Sequence, residues 1–340
     1  MKRPWLFPFV PLYAAGVALR GLRLRSGLEP VRRLRWPVVS IGNLSTGGAG
    51  KTPLTIALAK LLTARGFHVD VLSRGYGRRS ALPLAVKPNG TAEDFGDEPL
   101  LISCEAGVPV YVGAKRYEAG LLAESDWKAP RQLDTRQSQF PIAHILDDGF
   151  QHRQLARDLD ILLLNRADWC DSLLPAGNLR ETLSAARRAT LIAIPAEEPE
   201  FEQGLRRWGW EGPIWQLHRR MEAPSVDGPV AAFCGIARPE QFFAGLEAAG
   251  LRVAERKAFP DHYDYTDPVV EWLAQRARAV GASALVTTEK DAVRLGDLLA
   301  AFPADLPVKT ARLRTEIEDE ASAIDSLVGR LRDAQPDPSL

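Results

Sequence analysis

Asn43-Leu44-Ser45-Thr46-Gly47-Gly48-Ala49-Gly50-Lys51-Thr52 is the stretch with the most chemistry in it. Small residues let successive backbone N–H groups curl around phosphate oxygens. A lysine after the last glycine reaches the β/γ-phosphates, and the threonine hydroxyl ligates Mg²⁺. The apolar run Val38-Val39-Ser40-Ile41 precedes this stretch, and a helical pattern of Leu54, Ile56, Ala57, Leu58, Ala59, Leu61 and Leu62 follows Pro53. That is the strand–loop–helix setting of a phosphate-binding loop, in which the helix N-terminus adds partial positive charge. The competing reading is a glycine-rich turn with an incidental lysine, and the complete setting weighs against it. One departure stands: the first glycine of G-x-x-x-x-G-K-T is Ser45. Residues Ser45, Thr46, Gly47, Gly48, Ala49, Gly50, Lys51 and Thr52 are therefore expected to bind a nucleoside triphosphate.

A phosphotransfer site also needs carboxylates for the metal shell. The apolar run 142–146 ends in Asp147-Asp148, and strand ends of a parallel sheet converge where such a loop sits. Adjacent side chains on an extended backbone point to opposite sides, so one of the two should face the metal directly. Helix capping is the competing role. Asp97, in Gly96-Asp97-Glu98-Pro99, and His262, in Phe259-Pro260-Asp261-His262-Tyr263-Asp264-Tyr265, are candidates for a base or orienting pair at an attacking hydroxyl. A turn would equally explain Asp97, and a structural role would explain His262. Arg74, Arg116 and Arg180 could neutralise phosphates, or could be solvated surface charges.

The elements that must position these residues alternate. Strand patterns at 67–72, 108–112, 142–146, 159–164 and 191–194 are separated by helical ones, which implies an α/β fold: a P-loop-type, mostly parallel sheet with helices on both faces. Residues 125–139 are polar and aperiodic and read as a surface loop. A second α/β pattern begins at 230–234 and continues through a helix at 239–249, a helix at 268–280 and a strand at 284–288. The division expected is an N-terminal segment 1–35, a P-loop domain 36–222, and a smaller α/β domain 228–330 closing a cleft. The chain has 43 basic and 43 acidic residues among 340, so there is no global charge footprint for nucleic acid. The three cysteines are far apart without metal spacing and read as reduced thiols.

Residues 4–19 are almost wholly apolar, with Trp5, Phe7, Phe9 and Tyr13, and are followed by Arg20, Arg23, Arg25, Arg32, Arg33 and Arg35. A signal peptide lacks a convincing cleavage site here. A membrane span is disfavoured by the short run and by Pro4, Pro8 and Pro11. A buried helix with a solvated arginine face is one alternative. The favoured reading is a peripheral anchor, with aromatics at the headgroups and arginines drawn to anionic lipid.

Taken together, 42–53, Ser73-Arg74-Gly75-Tyr76-Gly77-Arg78, Gly96-Asp97-Glu98-Pro99, Asp147-Asp148-Gly149-Phe150-Gln151-His152, Leu174-Pro175-Ala176-Gly177-Asn178-Leu179-Arg180-Glu181 and Phe259-Pro260-Asp261-His262-Tyr263 closely resemble the tetraacyldisaccharide 4′-kinase family. The resemblance spans about residues 1–315 and includes the apolar N-terminus. It implies phosphorylation, dependent on ATP and Mg²⁺, of the 4′-hydroxyl of an acylated glucosamine disaccharide 1-phosphate. The product would be lipid IVA, made by a peripheral protein on the cytoplasmic face of the bacterial inner membrane. Within that resemblance Lys51 and Thr52 match the P-loop pair, Asp147 and Asp148 the metal-side carboxylates, and Arg116 a phosphate-contacting arginine. Asp97 and His262 match a dyad activating the acceptor hydroxyl, and Ser45 is the family's own residue. A monomer is expected. The rival from another class is a membrane-associated switch ATPase of the ParA/MinD type. Its loop carries an extra lysine where this chain has Thr46. A soluble small-molecule kinase with a buried N-terminus is a second rival.

Overall fold

The computed structural model describes residues 3–128 and 140–336. Among them the apolar runs form strands β1 (Val38–Asn43), β2 (His68–Ser73), β3 (Leu84–Ala85), β4 (Val110–Val112), β5 (Ile142–Asp147) and β6 (Leu159–Leu163). They continue as β7 (Leu191–Pro195), β8 (Ile214–Glu222), β9 (Pro229–Cys234), β10 (Arg252–Ala258), β11 (Ala284–Thr288) and β12 (Val308–Ile317). All twelve join one sheet in the order β10-β9-β11-β12-β8-β7-β6-β1-β5-β2-β4-β3. Pairing is parallel except at β3–β4 and at β8–β12, where the two parallel portions meet antiparallel. This is the mixed α/β, mostly parallel sheet expected from the alternating pattern.

Strand β1 is buried along its whole length because it lies between β5 and β6 and both its faces are covered. On one face, Leu54, Leu58 and Leu62 of the helix Lys51–Ala64 pack with Leu100 and Ile102 of the helix Asp97–Ala106. Ile324, Leu327 and Leu331 of the C-terminal helix Glu320–Asp333 join the same core, so the chain's end returns to the phosphate-loop portion. On the other face Leu162, Ile192 and Ile194 meet Phe201, Leu205 and Trp210. Each such aliphatic side chain, fully buried, contributes ~1.5–3 kcal/mol. The helix opening at Lys51 is held rigidly against the sheet.

The opposite, amino-terminal edge of the sheet carries a buried charge cluster. His144 of β5 has Nδ1 2.7 Å from Asp70 Oδ1 and Nε2 3.7 Å from Glu124. Trp127 Nε1 donates to Asp70 Oδ2 at 2.9 Å. Burial by itself would lower the imidazole pKa, but the two carboxylates outweigh it and hold it up at about 9.

Two sequence expectations are corrected. Residues 125–128 are the last turn of the helix Arg116–Lys128 rather than loop, and 129–139 fall outside the described residues. The N-terminal prolines do not shorten the apolar segment. A 3₁₀ turn, Pro4–Phe9, with Pro8 inside it, runs directly into the helix Val10–Arg25. The resulting 22 residues are apolar enough to cross a membrane by length and composition, and none of the most apolar 18-residue window within them is buried. Trp5, Phe7, Phe9, Leu12, Leu19 and Leu22 are exposed, which rules out the buried-helix alternative.

Candidate active site

The turn after β1 is shaped by two glycines in the left-handed region, Gly47 (φ 103°) and Gly50 (φ 85°). Gly50 lies directly before the helix Lys51–Ala64, so the free N–H groups of the first helical turn face the loop. Asn43, fully buried at the end of β1, organises the loop from within. Its Nδ2 donates to Ser45 O (2.9 Å) and Ser45 Oγ (3.1 Å), and its Oδ1 accepts from Lys51 Nζ at 3.1 Å. The loop is braced from outside by 178–180: Thr46 N donates to Asn178 O (2.8 Å) and Arg180 N to Leu44 O (2.7 Å). Arg219 of β8 donates to Ala49 O, and a Cβ at Gly50 would stand 2.7 Å from its guanidinium.

Asp147 and Asp148 end β5 beside this loop and divide as their alternation requires. Asp147 is buried and accepts from Ser73 Oγ (3.2 Å) and Thr55 Oγ1 (3.3 Å). Its burial, with Glu98 and Asp148 close by, raises its pKa to about 6 despite Lys51. Asp148, at φ 48°, turns its carboxylate to Arg180 Nη1 (3.0 and 3.2 Å) and to Lys51 Nζ (3.5 Å). Burial would raise its pKa, and these cations pull it down instead. Thr52 is buried at the first turn of the helix. A threonine hydroxyl and carboxylates are hard oxygen donors, and an aspartate whose charge is poorly compensated suits a divalent cation. Among the described residues no three His, Cys, Asp or Glu side chains are grouped to hold a metal ion. Mg²⁺ seldom needs one, because it keeps waters and shares phosphate oxygens.

Arg116 opens the helix Arg116–Lys128 and is 5 % exposed. Its Nη1 donates to Ala114 O at 3.1 Å, while Nε is buried with no partner. Burial, then the neighbouring Arg74, lowers its pKa to about 10. A buried guanidinium with an unused donor suits an anion such as phosphate. His152 is also depressed, to about 3, by burial and by Arg116, Arg20, Arg157 and Arg74, so it is neutral here.

Asp97 and His262, 165 positions apart in the sequence, are brought side by side. Asp97 is buried at the first position of its helix. Its Oδ2 is 3.2 Å from His262 Nδ1, and the imidazole, at φ 59°, is about half exposed. Arg294 and Lys290, which the sequence reading did not single out, complete the group: Arg294 pairs with Asp97 and Lys290 with Glu98. Burial opposes ionisation of Asp97, but the contacts with His262, Arg294 and Lys290 hold it well below the usual carboxylate range. The hydrogen bond to Asp97 raises the pKa of His262. Nδ1 of His262 also lies 3.3 Å from Arg294 Nη2. It donates to Asp97 when protonated there and accepts from Arg294 when the proton is on Nε2. No spacing motif joins residues 97, 262 and 294, and only the run 288–291, Thr-Glu-Lys-Asp, marks a capped helix start.

A family model for tetraacyldisaccharide-1-P 4′-kinase matches residues 2–332. A tetraacyldisaccharide 4′-kinase of Koribacter versatilis is 40% identical over 332 residues, covering 94% of this chain and 97% of the relative. One from Anaeromyxobacter sp. (strain K) is 38% identical over 362 residues, covering 98% and 92%. A crystal structure of LpxK from Aquifex aeolicus in complex with ATP superposes with a TM-score of 0.76 at 35% identity, covering 96% of this chain and 98% of that one.

Proposed function

The chain belongs to the tetraacyldisaccharide-1-phosphate 4′-kinase family, and from that premise we propose which of its residues perform each part of the reaction. It is an ATP-dependent kinase of lipid A biosynthesis, transferring the γ-phosphate to the 4′-hydroxyl of an acylated disaccharide 1-phosphate. The observation that carries the assignment is a phosphate loop and carboxylate pair whose Asp147 feels Glu98, the neighbour of Asp97 in the Asp97–His262 pair.

In this reading Ser45 to Thr52 cradle the phosphates with backbone N–H groups. Lys51, now held between Asn43 and Asp148, turns to the γ-phosphate. Thr52 and one of Asp147 and Asp148 would hold Mg²⁺, which when bound neutralises charge on the transferring phosphoryl group. Arg116, with Arg180 and Arg74 nearby, stabilises the charge that develops on the oxygens. His262 and Asp97 orient the 4′-hydroxyl and take up its proton as the O–P bond forms. The two sheet portions, 36–222 and 228–330, form the two walls of the cleft.

The protein is proposed to sit as a monomer on the cytoplasmic face of the inner membrane through its N-terminal helix. The exposed aromatic and leucine side chains enter the interface, with Arg20, Arg23 and Arg25 at the headgroups. The ParA/MinD-type reading loses support because the extra loop lysine is Thr46. The deciding experiment is transfer of ³²P from ATP to purified tetraacyldisaccharide 1-phosphate in mixed micelles. Stoichiometric label at the 4′ position is expected, and ATP turnover without labelled lipid would refute the assignment.

A further inference from the structure

We propose that Arg294 is a positioning residue for phosphotransfer, a guanidinium that clamps Asp97 from the neighbouring helix and sets the geometry at which Asp97 and His262 meet. This rests on the reading of those two as the acceptor-side pair.

Arg294 lies on the helix Glu289–Leu295, and its side chain is 6% exposed. Every arm of the guanidinium is engaged. Nε and Nη2 both donate to Asp97 Oδ2, at 3.1 and 2.5 Å. Nη1 donates to Gly235 O at 2.6 Å and to Asp291 Oδ1 at 3.1 Å. Asp291 is itself fixed, accepting from Gly235 N (3.1 Å to each oxygen), Tyr265 Oη (3.0 Å) and Thr288 Oγ1 (2.6 Å). The same Gly235 O accepts the backbone N–H of His262 at 3.2 Å. One guanidinium therefore holds both the Asp97 carboxylate and the loop that presents the His262 imidazole. The fit is close at Gly235, where a Cβ would come within 3.1 Å of Pro260 O and 3.2 Å of Asp291 Oδ1.

The chemistry argues for more than packing. Asp97 Oδ1 is occupied by Glu98 N (3.0 Å), and Oδ2 by Arg294 and His262. Asp97 is left as an oriented anion, and the half-exposed imidazole is the part of the pair that reaches the cleft. The charged and polar groups facing the pair are Arg294, Lys290 and Glu98 around Asp97, Asp261 and Tyr76 around His262, and Asp291 behind Arg294. Within that set, the positive charge of Arg294 favours the carboxylate and disfavours imidazolium. Removing it raises the pH at which either group takes a proton. A lysine would keep the charge but lacks the fork that reaches Asp97 and Gly235 at once.

The test uses the full-length enzyme. Arg294→Gln should lower kcat ~10–100-fold, as expected for a displacement on the order of 1 Å, while KM for ATP stays within about twofold of wild type. The acid limb of its kcat–pH profile should move to higher pH. Arg294→Lys should also lose kcat but keep the acid limb near the wild-type position. It serves as the readout if the glutamine variant fails to fold by circular dichroism. In an Asp97→Ala background, Arg294→Gln should add little. An unmoved acid limb in folded Arg294→Gln, or losses that multiply with those of Asp97→Ala, would overturn the inference and leave Arg294 a structural ion pair. An Asp97→Ala enzyme with normal kcat would instead remove the acceptor-pair reading itself.

Discussion

At the residue scale, the site is where the backbone is held away from its preferred conformations. Among the described residues, the non-glycine positions with positive φ are Asp148, His262 and Asp319, and two of these three are candidate site residues. Such conformations cost ~1–3 kcal/mol each and persist where surrounding contacts over-determine them. For Asp148 those contacts are Arg180 and Lys51, and for His262 the frame around Gly235. Lys51→Ala and Thr52→Ala should each keep the fold and lower phosphotransfer by ~10²–10³-fold or more, through loss of charge stabilisation at the transferring group. Near-normal turnover of the Lys51 variant would refute the loop assignment. Asp97→Ala and His262→Ala should each lower kcat ~10²–10⁴-fold. If the pair acts as one unit, the double variant should be little slower than the poorer single variant. Losses that multiply would show separate roles.

At the element scale, the N-terminal helix is nearly detached from the core, with Leu24 its one buried residue. Its foot nonetheless touches the site's scaffold: Arg3 N donates to Ala176 O (2.7 Å) and Tyr13 Oη to Arg180 O (3.1 Å). The 174–180 segment that braces the phosphate loop thus also seats the helix. A lipid acceptor stays in the bilayer because each buried methylene holds it by ~0.8 kcal/mol, which is the physical basis of the proposed anchor. Deleting residues 1–20 should weaken binding to anionic vesicles and raise KM for the lipid acceptor, with little change in ATP affinity. Trp5→Ser/Phe7→Ser/Phe9→Ser should reproduce the vesicle defect while leaving the Tyr13 contact in place. Unaltered vesicle binding in both would rule out the anchor.

At the scale of the whole molecule, the buried His144–Asp70 pair ties stability to pH. The folded imidazole titrates at about 9, against ~6.5 in the unfolded chain. A raised folded pKa means the stabilisation is fully present below about pH 6.5 and is lost as pH rises through about 9. Asp70→Asn, which leaves Glu124 as the remaining carboxylate beside the imidazole, should cost up to ~3 kcal/mol in urea unfolding at neutral pH. The gap from wild type should narrow by pH 10. A gap constant from pH 6 to pH 10 would mean that His144 is neutral in the fold.

The strand, glycine turn and helix at 38–64, and the strand ending at Asp147, were legible in the sequence because these elements follow one another within a few residues, and local backbone chemistry is enough to make them. The apolar N-terminus was legible for a similar reason, since exposure of such a run needs no partner to be recognised. The convergence of residues 97, 262 and 294 was not, because it depends on two distant portions of chain meeting through β8 and β12. Those strands escaped the sequence reading. Their alternation of apolar residues with Arg219, Arg220, Arg312 and Arg314 looks like surface until Glu105, Glu222 and Glu289 neutralise Arg314 and the phosphate loop engages Arg219. Consecutive residues specify the strand, glycine turn and helix start by themselves. The grouping of residues 97, 262 and 294 exists only once the long-range antiparallel joint has formed.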